Sequence, residues 1–125
     1  MPKPYDKRIN ERRKNKIVMN VTDLDFKEKV IEKSKETPIV VDFWASWCQP
    51  CLMLGPILEE LEEESKSKFI LAKINLDMAP ETSKQYNIMS IPSVKMFKQG
   101  KPTAEFVGAL PKEQVEEWLD KNLEK

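Results

Sequence analysis

A chain of 125 residues has the size of one ordinary domain, so no second catalytic or regulatory domain is expected. Apolar residues make up 40% of it and charged residues 34%, against roughly 25% charged in an average domain, which is apolar enough for a core and too apolar for general disorder. The 21 Lys and Arg balance the 21 Asp and Glu, histidine is absent, and the only cysteines are Cys48 and Cys51, which excludes a His-dependent nucleophile or base, a His-ligated metal and a multi-disulfide scaffold.

A zinc site takes about four ligands, and no second Cys pair exists, so no bound metal is expected. No apolar run approaches the ~18 residues of a membrane span, and the N-terminus lacks the apolar core of a secretory signal. The chain is therefore expected to be soluble and cytoplasmic. Its charge is uneven: residues 1–20 hold seven basic and two acidic side chains, and residues 21–125 hold fourteen and nineteen. Residues 1–16 read as a basic N-terminal arm, flexible or forming a short helix after Asp6, ahead of a domain at 17–125. Three glycines against nine prolines, with the high charge, lean toward a heat-adapted source.

Ile17–Val21 is a short apolar stretch suited to an edge strand. Thr22 and Asp23 offer N-cap oxygens to a helix in which Phe26, Val30 and Ile31 form a partial stripe to about Lys35. Ile39–Ala45 is β-branched, aromatic and nearly continuous, as in a strand buried on both faces. Leu54, Ile57, Leu58 and Leu61 recur at i, i+3, i+4 and i+7, marking a helix from the cysteines to about Glu64, with Pro56 expected to kink it. Phe69–Asp77 is a second continuous strand. Pro80 opens a brief helix that Asn87 ends, since Asn tolerates the left-handed conformation. Ser93–Lys98 and Thr103–Val107 flank Gln99–Gly100–Lys101–Pro102 and read as an antiparallel hairpin. Val115, Trp118, Leu119 and Leu123 stripe a last helix opened by Pro111. The order β-α-β-α-β-α-β-β-α predicts an α/β fold, a mixed sheet of four to five strands flanked by helices on both faces.

Cys48-Gln49-Pro50-Cys51 falls where a buried strand gives way to a helix. An i,i+3 spacing there puts both sulfurs on one face, at a separation suited to a disulfide. Free N–H groups and the helix dipole favour an anion at Cys48, so its thiol pKa is expected to fall. Pro50 is tolerated in the first turn. By itself the C-x-x-C pattern leaves open a redox dithiol, half of an intermolecular metal site, and coincidence. The position after a buried strand, with no other Cys and no His, favours the redox dithiol.

The segment Val41-Asp42-Phe43-Trp44-Ala45-Ser46-Trp47-Cys48-Gln49-Pro50-Cys51 resembles the active-site segment of the thioredoxin family, whose usual motif is W-C-G-P-C. The resemblance continues through Pro56, Ala72–Asp77, Ile91-Pro92-Ser93, Phe97 with Gly100, and Val107-Gly108-Ala109-Leu110, covering about residues 20–124. It implies the thioredoxin fold and dithiol–disulfide exchange without a cofactor, Cys48 as nucleophile and Cys51 as resolving thiol. It also implies that Asp42 assists proton transfer at Cys51. Burial inside Ile39–Ala45 is expected to raise that carboxyl toward neutrality, a hydrogen-bonded aspartate at a strand end being the alternative. Lys73 matches a lysine near that aspartate and either tunes it or is simply exposed. Pro92 matches a cis-proline beside the sulfurs, where unpaired backbone groups are ready to hold an extended substrate peptide. Trp47, Ile91, Val107, Gly108 and Ala109 are the expected apolar rim, while Phe43 and Trp44 are assigned to the core.

Two departures concern redox tuning. Gln49 replaces the usual glycine, and Leu52 replaces a basic residue. Gln49 is neutral and Pro50 is retained, so a potential at the reducing end is expected. Leu52, Met53 and Met89 make the docking face more apolar, or Met53 fills core. The implied partners are disulfide-containing proteins and a thioredoxin reductase or equivalent donor, with the chain a monomer and neither membrane nor nucleic acid as a partner. A disulfide oxidase or isomerase, or a binding module recruiting a partner through the basic arm, are the alternatives.

Overall fold

The apolar run Ile39–Trp44 becomes the centre of the sheet because it has apolar partners on both faces. A computed structural model describes residues 18–124; the expected arm at 1–16 lies outside the described residues. The strands are β1 (Met19–Val21), β2 (Ile39–Trp44), β3 (Ile70–Asn75), β4 (Ser93–Lys98) and β5 (Lys101–Val107), in the spatial order β1-β3-β2-β4-β5. β1 and β2 pair with β3 in parallel, whereas β4 pairs antiparallel with β2 and β5, so the sheet is mixed as expected and has five strands.

Alternation along β2 divides the interior. Ile39, Val41 and Phe43 join Val30 and Phe97 on one face, while Val40 meets Leu54, Leu58 and Val115 on the other. The second face is covered by α2 (Gln49–Glu64) and α4 (Lys112–Leu123), whose stripes place Leu54, Leu58, Leu61, Val115 and Leu119 inside. α2 continues through Pro56. Pro111 stands at the N-cap of α4, one position outside the helix it was expected to open.

The first helical segment, α1, differs from expectation. It winds in the wider π manner over Lys27–Glu32 and tightens to a 3₁₀ turn at Lys33–Lys35. Phe26, Val30 and Ile31 are spaced i, i+4 and i+5, and i→i+5 winding brings all three toward the sheet. Asp23 does not cap this segment. Nor does Thr22, since no side chain caps α1; Thr22 closes the turn before it, accepting from the Leu24 N–H at 3.3 Å while its own N–H donates to Asp25 Oδ1 at 2.7 Å. Asp23 instead reaches across the molecule to α3 (Pro80–Gln85), accepting from the backbone N–H groups of Glu81 at 3.1 Å and Thr82 at 2.8 Å. Burial is the largest influence on its carboxyl and pushes the pKa up, yet the hydrogen bonds from Thr82 and Glu81 together hold it below the ordinary value.

Asn87 ends the α3 region at φ 53°, as expected. The β4–β5 connection is shorter than predicted. Gln99 and Gly100 take φ 52° and 82°, which makes a two-residue turn matched to strand twist. Lys101 and Pro102 therefore belong to β5, an edge strand on which a missing N–H is tolerated. Ser34 of α1 holds this turn, accepting from the Gly100 N–H at 2.8 Å and from the Gln99 N–H at 3.0 Å.

Candidate active site

Where β2 ends, Ala45–Trp47 turn the chain into α2, and Cys48 stands at the N-cap with extended backbone. Its Sγ accepts a hydrogen bond from the Cys51 N–H at 3.2 Å, the task an oxygen side chain usually performs there. The two cysteines are joined as a disulfide across a Cα–Cα distance of 5.2 Å. Gln49 and Pro50 form the exposed first turn, where the absent N–H of proline removes no helical bond. No acidic side chain lies in that turn, so the sulfur alone answers the positive end of the helix. Both cysteines are buried as residues, packed with Ala45 and against Trp44 and Ile91.

Trp44 was expected in the core and is found at the site. Alternation puts it on the same face of β2 as Asp42, where its ring packs against the cysteines and its Nε1 is buried without a partner among the described residues. Asp42 is fully buried, and neither carboxylate oxygen has a hydrogen-bond partner among the described residues. Asp42 thus lies within β2 rather than at its end, with no hydrogen bond from a described residue. Burial raises the Asp42 pKa to about 7, with Lys73 pulling it down and Glu59 pushing it up. Lys73 is the register partner of Asp42 on β3 and is largely buried rather than exposed.

The second wall of the site comes from the segment before β4. The Ile91–Pro92 peptide is cis, and the Ile91 carbonyl lies 3.9 Å from Cys48 Sγ. The Pro92 carbonyl is already engaged, accepting from the Gly108 N–H at 2.8 Å, so it is not among the free groups expected there. Gly108 takes φ 95°, a conformation that a side chain would strain, and this carries Val107, Gly108 and Ala109 past Pro92. Val107 and Ala109 are exposed.

Trp47 is 65% exposed, yet its Nε1 donates to Asp77 Oδ2 at 2.8 Å, which fixes a large apolar plate beside the sulfurs. Asp77 lies in the 3₁₀ turn Leu76–Met78 beyond β3, not at the end of the strand expected over Phe69–Asp77. Met53 is 67% exposed and so belongs to the surface rather than the core, with Leu52 and Met89 also exposed. Among the described residues no cluster of three or more His, Cys, Asp or Glu side chains is arranged to hold a metal, and no helix is long and apolar enough to cross a membrane.

A helix-capping cysteine pair that closes to a disulfide at the end of a central strand defines a dithiol–disulfide oxidoreductase. The family profile for thioredoxin matches residues 17–121, and the chain belongs to that family. It is 45% identical over 101 residues to a thioredoxin of Alicyclobacillus acidocaldarius subsp. acidocaldarius, covering 81% of this chain and 93% of that one. It is 42% identical over 102 residues to a thioredoxin of Chlorobaculum thiosulfatiphilum, with 82% and 93% covered, and 39% identical over 107 residues to that of Rickettsia typhi, with 86% and 100% covered. Membership makes the chain a protein-disulfide reductase, with disulfide-containing substrates and a reductase donor as its general partners.

Proposed function

We propose that this chain is a general cytoplasmic reductant of protein disulfides, working as a monomer at the reducing end of the potential range and recharged by a thioredoxin reductase or an equivalent donor. In the reduced protein the Cys48 thiolate attacks one sulfur of a substrate disulfide. A mixed disulfide forms, and the first substrate sulfur leaves as a thiolate that takes a proton from water. Asp42 then accepts the Cys51 proton as the Cys51 sulfur attacks Cys48 Sγ. The Cys48–Cys51 disulfide forms, the second substrate sulfur leaves as a thiolate that takes a proton from water, and Asp42 returns its proton to solvent. Two electrons pass to the substrate, which ends as two thiols.

The observation that carries this reading is Cys48 Sγ at the N-cap of α2, accepting the Cys51 N–H at 3.2 Å. That hydrogen bond and the helix dipole both favour the thiolate. Asp42, with a pKa near 7, can hold or release a proton at neutral pH, as a base for this step must. Lys73 tunes that carboxyl by its charge. Trp47, Ile91, Pro92, Val107, Gly108 and Ala109 offer the substrate chain an apolar rim, with Gln49 and Pro50 setting the potential between the sulfurs. The fitting test is the midpoint potential of Cys48/Cys51 in thiol–disulfide buffers, together with reduction of insulin disulfides. A potential near that of known reducing dithiols, about −270 mV, with active insulin reduction is expected; one above about −200 mV would assign the chain to oxidation or isomerisation instead.

A further inference from the structure

Asp42 and Lys73 are register partners on neighbouring parallel strands, on the face of the sheet that α2 covers. An ammonium beside a buried carboxylate is strongly attracted to it, because little water screens the pair. Yet neither Asp42 oxygen receives a hydrogen bond from any described residue. The ammonium is engaged elsewhere. Lys73 Nζ lies 3.8 Å from Glu59 Oε2 on α2 and 5.0 Å from the centre of the Trp44 ring. Residue 55, one turn before Glu59, is glycine and leaves room beside the ammonium. A Cβ there would stand 3.1 Å from Nζ and 3.9 Å from Glu59 Oε2. The Lys73 side chain is 16% exposed and that of Glu59 35%, so the pair sits at the margin of the core, with Glu59 on its wet side.

We propose that Glu59 is a positioning residue for the exchange reaction: by pairing with Lys73 it holds the ammonium over the Trp44 ring and off Asp42, leaving that carboxyl without a contacting cation. The inference rests on the reading of Asp42 as the proton acceptor for Cys51. A carboxylate in contact with an ammonium stays ionised and is a weak base. One that is buried without a contact binds and releases its proton near neutrality. The charged and titratable groups facing Asp42 are Lys73 from β3 and Glu59 from α2. α2 also brings Cys51, which titrates only when reduced, and β4 presents the neutral Val94 as register partner. Glu59 is well placed for this task because its carboxylate reaches solvent at the margin of the core while still meeting the Lys73 ammonium.

The test follows the Asp42 carboxyl carbon by NMR titration of the full oxidised chain, where no cysteine proton is coupled to it. In Glu59→Gln the midpoint is expected to fall by about one unit, the low end of what a contacting opposite charge does to a carboxyl. In the reduced protein the pH profile for resolution of a mixed disulfide falls with it, and Glu59→Asp restores part of the shift. Lys73→Met alone raises the midpoint. In the Lys73→Met background, Glu59→Gln moves the midpoint by less than half as much, since no ammonium is left to release. The proposal is overturned by an unmoved midpoint in Glu59→Gln, by a midpoint that does not rise in Lys73→Met, or by equal shifts in the two backgrounds, which would be the field of Glu59 acting directly. Failure of the underlying reading looks different: the midpoints shift as described, but Asp42→Asn leaves the resolution profile unchanged.

Discussion

Replacing Asp42 by Asn should make the protein more stable, and the gain should depend on pH in a defined way. The carboxyl ionises at about 7 in the folded chain, against 3.8 when free in water, because burial strips its solvent and no hydrogen bond replaces it. Below pH 3.8 the group is neutral in both states and its ionisation costs nothing. As pH rises past that point the unfolded chain releases the proton while the folded chain keeps it, so stability falls by up to about 1.36 kcal/mol per pH unit. The loss is complete once pH passes about 7, and over roughly three units it amounts to about 4 kcal/mol. Asn removes this slope but leaves a buried amide short of partners, a pH-independent cost of about 1–3 kcal/mol. The informative quantity is therefore the stability difference between variant and wild type at pH 8, minus the same difference near pH 4. Denaturant unfolding of both oxidised proteins across that range measures it, and the other carboxylates cancel between the two. An increment of several kcal/mol in favour of the variant is expected. A difference that stays flat with pH would mean that Asp42 is solvated or paired in solution, and the argument for its basicity would fall with it.

Cys48→Ser should abolish disulfide reduction, whereas Cys51→Ser should accumulate mixed disulfides visible as adducts by intact-mass spectrometry; normal turnover by Cys51→Ser would reverse the assigned roles. Asp77→Ala removes the acceptor that holds Trp47 at 2.8 Å, so kcat/KM toward protein disulfides should drop several-fold while stability changes by less than about 1 kcal/mol, as for other exposed polar contacts. Unchanged kinetics would show that Trp47 needs no fixing. Asp23→Ala frees the N–H groups of Glu81 and Thr82 and should cost about 1–2 kcal/mol at neutral pH. Because this carboxyl titrates below its ordinary value when folded, its contribution is present above that ordinary value and fades as acid protonates the folded form, so the deficit of the variant should shrink in acid unfolding curves.

Much of the fold was legible because the strongest signals were local. A run such as Ile39–Trp44 has one plausible fate, burial on both faces, and the Leu54, Leu58, Leu61 spacing has one face to bury. Asn87 announced its positive φ by residue type. The misread places are those decided by distant partners. Asp23 looks like a cap for the helix next to it, but no side chain caps that helix, and Asp23 serves the backbone of α3, 58 and 59 residues away. Lys101 and Pro102 looked like turn residues because proline punctuates, whereas their edge position made pairing with β4 possible. The π winding of α1 was visible in the i, i+4, i+5 spacing only once the sheet was there to receive it.

The site divides along the same line, and the division explains why its chemistry needs the whole domain. Cys48, Pro50 and Cys51 could be placed from the chain itself, because a cap, a first-turn proline and an i,i+3 partner are local geometry. The groups that give those sulfurs their surroundings are remote in sequence. Trp47 depends on Asp77, 30 residues on, and Cys48 on the Ile91 carbonyl, 43 residues on. Asp42 depends on Lys73 from another strand and on Glu59 from α2. One signal was present and passed over: Trp44 is two residues from Asp42 in a strand, so alternation alone puts both on the face that α2 covers. The sheet thus brings a carboxyl whose ionisation opposes folding to the place where the proposed mechanism moves a proton. A neutral residue at 42 would favour the fold and remove the proposed base, so the stability deficit predicted above and the pH profile of resolution are two measurements of one buried carboxyl.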